Sequence, residues 1–461
     1  MRQPNIPVQT PAKRVKNFHE VELGFSKRQA MEEARRCPQC TNPKCVAGCP
    51  LGVDIPGFIR SIREGDFLRA LQKVRENNNL AGFCGRLCSA PCEQACILNE
   101  EKNVQAIGIR ALERFAFDHG QSKVRQIFNA ESTNQTNKKV AVVGSGPAGL
   151  VVAAQLAEDG HAVTVFETFE KSGGFLNYGV PEFRLPKKVL DNEIDYVKSL
   201  GVEIKNLSFI GRTHSIEELF SSGYNAIVLT TGAGIPKPCG LSRQEASGVY
   251  FAQEFLMRVN FAGGHLILRP AEPFALGEKV VVLGCGELAV DSARVAVRFG
   301  KNVMVVHSST EEDMKVSQEQ KQQAKEEGVR FEILAEPVEL CVDEQNHVKG
   351  IKCLRLDFAD AGEKGEWKLI PVKDSEFIIE ADTVILAGES KVNSYIAKLT
   401  QGLKVDSQER FYRKKDQAQT SAKNIFAAGA AALGPANFIE VLSDSKNVSN
   451  QIDLFLRRDG E

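Results

Sequence analysis

Eight of the twelve cysteines fall between Cys37 and Cys96, in two tight groups, CPQCTNPKCVAGCP and CGRLCSAPCEQAC. Thiolates clustered this closely are the natural ligands of metal centres. Cys37, Cys40, Cys45 and Cys49 run C-x2-C-x4-C-x3-C-P. That spacing is close to the bacterial ferredoxin run, whose fourth cysteine, followed by proline, ligates the other of two clusters. By this logic Cys49, with Pro50, belongs with the second group, Cys84, Cys88, Cys92 and Cys96. A [4Fe–4S] cluster takes four ligands arranged around a cube, three from one short loop and the fourth from elsewhere. Two structural zinc sites are the competing use of eight cysteines, and disulfides are a third. The C-P ending and the motifs downstream favour iron–sulfur. Cys239, Cys285, Cys341 and Cys353 are isolated and read as buried small apolar side chains.

Two glycine-rich turns follow. In AVVGSGPAGL, Gly144, Gly146 and Gly149 make G-x-G-x-x-G, with Ser145, Pro147 and Ala148 between them. The first two glycines let the backbone turn tightly and approach a pyrophosphate; the third lets helix and strand pack. The helix N-terminus then favours the phosphate charge. Glu167 ends the next strand, where a carboxylate accepts ribose hydroxyls. In VVLGCGELAV, Gly284, Gly286 and Ala289 give G-x-G-x-x-A, with Glu287 and Leu288 opening the helix. The strand that follows ends at His307-Ser308-Ser309, which offers neither a carboxylate for a 2′-hydroxyl nor an arginine for a 2′-phosphate. Glu311, Glu312 and Asp313 come next and would repel a phosphate, so NADH is favoured over NADPH.

These motifs need elements to hold them. Residues 1–118 read as helical: FIRSIREGDFLRALQKVREN and GIRALERFAFD carry apolar residues at helical spacing. Residues 119–138 are polar, lack periodicity and read as a linker. From Val140, VAVVG, GLVVAAQLAEDG and HAVTVFE form strand, helix and strand, a βαβ unit, and KVVVLG, ELAVDSARVAVRFG and NVMVVHSS repeat the pattern. A length of 461 residues allows about three domains. A net charge of -1 argues against nucleic acid or an anionic membrane as partner. No run of about 18 apolar residues suggests a membrane span. The first residues lack an apolar signal core, so a cytoplasmic, reducing location is expected, where clustered cysteines bind metal more often than they pair.

These residues resemble the small (beta) subunit family of glutamate synthase. The chain is similar also to the large subunit of NADH-dependent ferredoxin:NADP oxidoreductase and to the N-terminal half of dihydropyrimidine dehydrogenase. The likeness covers nearly the whole chain. It is most specific in CGRLCSAPCEQAC, GGFLNYGVPEFRLPK, TTGAGIPKP, GVYFAQEFLMRVN and IFAAGAAALGPANFIE. The resemblance implies an α/β chain with an N-terminal α-helical iron–sulfur domain and two Rossmann-like dinucleotide-binding domains, the second inserted in the first. The implied boundaries are 1–130 for the cluster domain, 139–275 with 401–461 for the FAD domain, and 276–400 for the NAD(P)H domain. By the same resemblance, Gly144 to Gly149, Glu167, Gly174, Phe175, Leu176, Arg184, Gly232, Gly429, Ala430 and Asn437 line FAD. Gly284, Gly286, Glu287, Leu288, Ala289, His307 and Ser308 line the nicotinamide dinucleotide. One cluster is implied on Cys37, Cys40, Cys45 and Glu113, the other on Cys49, Cys88, Cys92 and Cys96, with Cys84 spare, although spacing alone equally makes Cys84 a ligand.

The implied function is electron input: electrons pass from NADH through FAD and two [4Fe–4S] clusters to a second redox or catalytic subunit. The rival is a non-enzymatic electron-transfer or scaffold subunit that keeps FAD and clusters but no longer oxidises NAD(P)H. Three departures from the family pattern motivate it. Ser308 and Ser309 stand where two arginines usually grip the 2′-phosphate, Ala428-Gly429-Ala430 replaces G-G-D, and AGESKVN lacks the usual proline. Hydride transfer needs no side-chain acid or base, so no catalytic residue is expected.

Overall fold

The computed structural model describes residues 4–121, 135–263, 275–360, 367–414 and 416–458. Of the expected linker, residues 122–134 lie outside the described residues.

The N-terminal region is helical. Helix α1 (Lys27–Arg36) opens on a capping box between Ser26 and Gln29. The apolar-periodic stretch after Cys49 folds as two helices, α2 (Ile55–Glu64) and α3 (Phe67–Arg75). They are separated because Gly65 adopts a left-handed conformation (φ 83°) and Asp66 caps the next helix through the Arg69 N–H. Helices α4 (Ala81–Leu87) and α5 (Ile109–Gly120) complete the region. Phe58, Ile59, Phe83 and Leu112 are fully buried, and their core is continuous with Leu150, Val152, Val165 and Leu442 of the next domain. The cysteine region therefore shares one core with the first dinucleotide domain.

That domain begins with β1 (Lys139–Val143), α6 (Pro147–Glu158) and β2 (Ala162–Phe166). It continues with α7 (Lys187–Ser199), β3 (Glu203–Lys205) and β4 (Ala226–Leu229). The chain then enters the second domain through β5 (Val249–Phe251), α8 (Ala252–Phe261), β6 (Lys279–Leu283), α9 (Glu287–Arg298), β7 (Asn302–Val306), α10 (Gln318–Glu326) and β8 (Arg330–Glu332). An antiparallel sheet that periodicity did not announce follows: β9 (Ala335–Val342), β10 (Val348–Asp360), β11 (Trp367–Pro371) and β12 (Phe377–Glu380). Strand β13 (Thr383–Leu386) closes the second domain. Strand β14 (Ile425–Ala427) and the long helix α11 (Phe438–Arg458) return to the first.

The two parallel sheets repeat one order, β14-β4-β1-β2-β3 and β5-β13-β6-β7-β8. In each the central strand is the one before the glycine turn, with Val140 opposite Val163 and Val280 opposite Val303. The second domain is wider upstream than the boundary at residue 276 allowed. Val249 to Phe251 pair with Val384 to Leu386 of its sheet. It also ends before residue 400, since Val392 and Ile396 pack in the core of the first domain with Ala141 and Ile227. The upstream shift arises because β5 is three residues long, too short for a periodic signal, so only its pairing reveals its domain; the downstream shift rests on tertiary packing of Val392 and Ile396.

Candidate cofactor sites

At the first turn, Gly144 has φ +106° and its N–H donates to Phe166 O at 2.8 Å. A Cβ on Gly144 would stand 2.7 Å from Thr230 O, and one on Gly149 only 1.9 Å from Gly144 O. Both positions exclude any side chain. Gly146 faces open space, leaving its backbone approachable. Helix α6 starts at Pro147 with no side-chain cap, so its first N–H groups are available to a phosphate, and Ala148 is buried behind the turn. Glu167 is buried and held firmly. Its Oε2 accepts from Ser145 N (2.9 Å) and Ser145 Oγ (2.5 Å), and its Oε1 accepts from Phe169 N (2.8 Å). A carboxylate has about four acceptor positions, so room remains for a ribose hydroxyl.

The other flavin-lining residues gather around this turn. Gly173 N donates to Ser145 Oγ at 2.9 Å, and a Cβ on Gly174 would stand 2.8 Å from Gly146 Cα. Phe175 is exposed beside them and Leu176 is buried. Gly232 follows β4 with φ +72° and nothing against it. Gly429, before Ala430, lies against Ala148, and its N–H donates to Asp444 Oδ2 at 2.7 Å. Asn437 caps α11, its Oδ1 accepting from Glu440 N at 3.0 Å. The buried Thr231 hydroxyl has no hydrogen-bond partner among the described residues. It sits beside Gly232, as a group reserved for a ligand would, and no sequence pattern marks it. These residues fit a flavin dinucleotide. Arg184 does not join them as expected: its Nη1 donates to Asp291 Oδ2 (2.7 Å) and its Nη2 to Glu287 Oε2 (3.3 Å), both on α9 of the second domain. Attraction to the buried Asp291 and the half-exposed Glu287 decides the direction of this side chain.

The second turn has the same backbone but different surroundings. Gly284 has φ +146°, a Cβ there would stand 2.4 Å from Ala387 O, and Gly286 is open. Ala289 is fully buried and Leu288 packs at the edge of the same core. Glu287 puts a half-exposed carboxylate in the first turn of α9, where phosphate would bind. His307 is buried; Nδ1 meets Ser309 Oγ at 3.1 Å and Nε2 has no partner among the described residues. Burial lowers its pKa, which keeps the ring neutral near pH 7. Beyond Ser308, Glu311 is tied to Lys325 (2.6 Å) and Asp313 to Thr310 Oγ1 (2.7 Å). The segment then folds back, with Met314 buried and Lys315 bridged to Gly286.

The cysteines form two sets. Cys37, Cys40, Cys45 and Cys96 line one cavity with Ile55 and Ile59. Cys49, Cys84, Cys88, Cys92 and Glu113 form the other, each within electrostatic reach of its neighbours. This corrects the implied partition: Cys96 and Glu113 exchange places. The reason is packing, since Gly48 lies against Ala95 and brings the Cys96 loop onto the first cysteine loop. Glu113 accepts from Asn78 Nδ2 at 3.0 Å, and burial pushes its carboxyl up to about 7. Burial also pushes Cys45 up to about 11 and Cys88 up to about 12, and raises Cys84 and Cys92. Such thiols ionise only against a strong positive charge, which iron supplies. Among the described residues no three His, Cys, Asp or Glu side chains converge as one ion requires. A four-iron cube needs no such convergence, because each ligand meets its own iron. Of the four isolated cysteines, Cys353 is buried as expected, but Cys239 is exposed and Cys285 and Cys341 are half-buried.

Residues 14–125 match the family described as dihydropyrimidine dehydrogenase domain II, 4Fe-4S cluster, and residues 138–450 match pyridine nucleotide-disulphide oxidoreductase. The chain is 32% identical over 447 residues to the glutamate synthase [NADPH] small chain of Escherichia coli (strain K12), covering 94% of this chain and 93% of that one. It is 32% identical over 476 residues to the NADPH-Fe(3+) oxidoreductase subunit beta of Geobacter sulfurreducens, covering 96% and 68%. FprA from Mycobacterium tuberculosis shares the fold, with a TM-score of 0.55 and 18% identity over 70% of this chain and 86% of that one. No described helix is long and apolar enough to cross a membrane.

Proposed function

This chain belongs to the glutamate synthase small-chain family of FAD and iron–sulfur oxidoreductase subunits, and from that membership we propose that it takes electron pairs from NADH and delivers them singly to a partner subunit. FAD and two [4Fe–4S] clusters, when bound, supply the conversion from paired to single electrons. The protein's own task is positioning. The turn at Gly144 to Gly149 and the free N–H groups of α6 take the flavin pyrophosphate, and Glu167 takes its ribose. Cys37, Cys40, Cys45 and Cys96 hold one cluster; Cys49, Cys88, Cys92 and Glu113 hold the other, with Asn78 orienting the Glu113 carboxylate. The turn at Gly284 to Ala289, with His307 and Ser308, takes the nicotinamide dinucleotide. The partner is a second polypeptide carrying the acceptor chemistry.

One observation carries this reading. The two sulfur sets share a continuous apolar core with the flavin turn, so carriers held there are fixed relative to one another. Anaerobic reconstitution should give about eight irons per chain, from two four-iron clusters, together with bound flavin that bleaches on addition of NADH. Flavin that stays oxidised with both NADH and NADPH rejects the proposal at the second turn.

A relay without nucleotide oxidation is the second reading. The Glu287 carboxylate at the phosphate position and the Lys315 segment bridged to Gly286 favour it. A saturable change in flavin absorbance during NADH titration supports the enzyme; cluster reduction only by another protein supports the relay.

A further inference from the structure

One turn of helix α11 touches both the flavin side and a cluster side. Asp444 accepts from the Gly429 N–H at 2.7 Å, and Ser445 Oγ lies 3.7 Å from where a Gly429 Cβ would stand. On its other side, Ser443 Oγ donates to Pro50 O at 3.1 Å. Lys446 Nζ donates to Leu51 O, Asn77 O and Asn77 Oδ1, each at 3.0 Å. Pro50 and Leu51 immediately follow Cys49, and Asn77 precedes Asn78, whose amide holds Glu113. The ammonium thus grips the segment that supplies Cys49 and the segment whose Asn78 amide holds Glu113.

Its three donors are filled entirely by neutral oxygens, and no carboxylate pairs with it among the described residues. Its full charge is left to act on its surroundings. Burial lowers its pKa, and the nearby Cys49 sulfur opposes that shift. A cluster gains negative charge on reduction, so a fixed cation beside it stabilises the reduced form.

We propose that Lys446 is a positioning residue that sets the reduction potential of the cluster held by Cys49, Cys88, Cys92 and Glu113, raising it above what the ligands alone would give. The proposal rests on the two-cluster reading above. The cluster held by Cys37, Cys40, Cys45 and Cys96 has no such cation from α11, so the effect is confined to one of the two.

The test is a potentiometric titration of the anaerobically loaded chain, followed by electron paramagnetic resonance, on wild type, Lys446→Gln, Lys446→Arg and Ser443→Ala. Lys446→Gln keeps a donor but removes the charge; one cluster signal should move to more negative potential while the other stays. Lys446→Arg and Ser443→Ala should hold the wild-type values. If Lys446→Gln emerges short of iron while Lys446→Arg is loaded and unshifted, the residue holds the site together rather than tuning it, and the proposal fails. A fully loaded Lys446→Gln chain with unchanged potentials overturns it, as does an equal shift of both signals. Absence of iron from the wild type would instead sink the two-cluster reading itself.

Discussion

The two glycine turns have one backbone and two environments. Both open with a glycine that cannot carry a side chain, both leave the second glycine open, and both lead into an uncapped helix. Behind the first, α6 is anchored by apolar residues, with Ala148, Leu150, Val151 and Leu156 buried. Behind the second, α9 buries Ala289, Val290, Ala293 and Val295 but is also anchored by charge: Asp291 pairs with Arg184, and Arg294 and Arg298 pair with Glu327, which also holds Arg14. The first turn faces a fixed carboxylate suited to ribose, whereas the second faces a neutral histidine, a serine and the Glu287 carboxylate. The lesson is that the turn encodes a place for a dinucleotide, while the second strand end and the helix flank decide which one, and how well it binds.

The largest expected effect is on the charged anchor. Glu327→Ala would strand three buried guanidinium groups, and losing one partner of a buried ion pair costs about 3–5 kcal/mol. Calorimetry should show the second domain melting earlier while flavin binding survives. Burial by itself would raise the Glu327 pKa, but Arg294 and Arg298 outweigh it and hold the carboxyl down at about 2. A depressed carboxyl contributes stability above its unfolded value of 4.5 and loses it as pH falls toward 2. Stability should therefore drop across that window in the wild type and drop less in Glu327→Gln.

Next is the third motif position of each turn, Gly149 in the first and Ala289 in the second. Gly149→Ala forces a Cβ against the Gly144 carbonyl, an overpacking cost of about 1–3 kcal/mol or more, with loss of flavin on gel filtration. The reverse change, Ala289→Gly, adds no clash: it should cost about 1 kcal/mol of helix propensity and about 0.8 kcal/mol for the lost buried methyl, and leave flavin bound. Equal effects would show that the turns are not distinguished by packing.

Glu167→Gln removes the charge from a buried carboxylate that accepts three donors from the protein. Charged hydrogen bonds contribute about 1.5–3 kcal/mol, so flavin affinity should fall about tenfold to a hundredfold by fluorescence titration. His307→Ala, the matching change at the second domain, should leave flavin affinity unchanged.

The smallest effect tests nucleotide choice. Ser308→Arg supplies the cation that a 2′-phosphate needs, and kcat/KM for NADPH relative to NADH should rise about tenfold, equivalent to about 1.4 kcal/mol. An unchanged ratio would mean that the dinucleotide does not reach this strand end.

Much of this arrangement was readable before any coordinates. The two βαβ units stand where VAVVG and KVVVLG placed them, because a buried parallel strand followed by an apolar helix leaves a strong periodic trace. Other features left none. The antiparallel sheet over Ala335–Glu380 escaped notice because β10, VKGIKCLRLDFAD, alternates only partly and is interrupted by glycine. Arg184 was assigned to the flavin because the segment around it is shared with relatives, yet its guanidinium turns toward Asp291 and Glu287. Thr231 and Asp444 carried no pattern at all; their roles come from an unfilled hydroxyl and a backbone contact.

Cysteine spacing and glycine spacing alone determined the kinds of cofactor this chain can hold, because ligand chemistry and backbone sterics are local properties of a few residues. Which cysteines gather in which set was decided by the close contact of Gly48 with Ala95. Which domain owns residues 249–251 was decided by strand pairing, and which sulfur set Lys446 lies beside was decided by where α11 lands. Those are contacts between segments far apart in the chain, and their energies exist only once the core has brought the segments together.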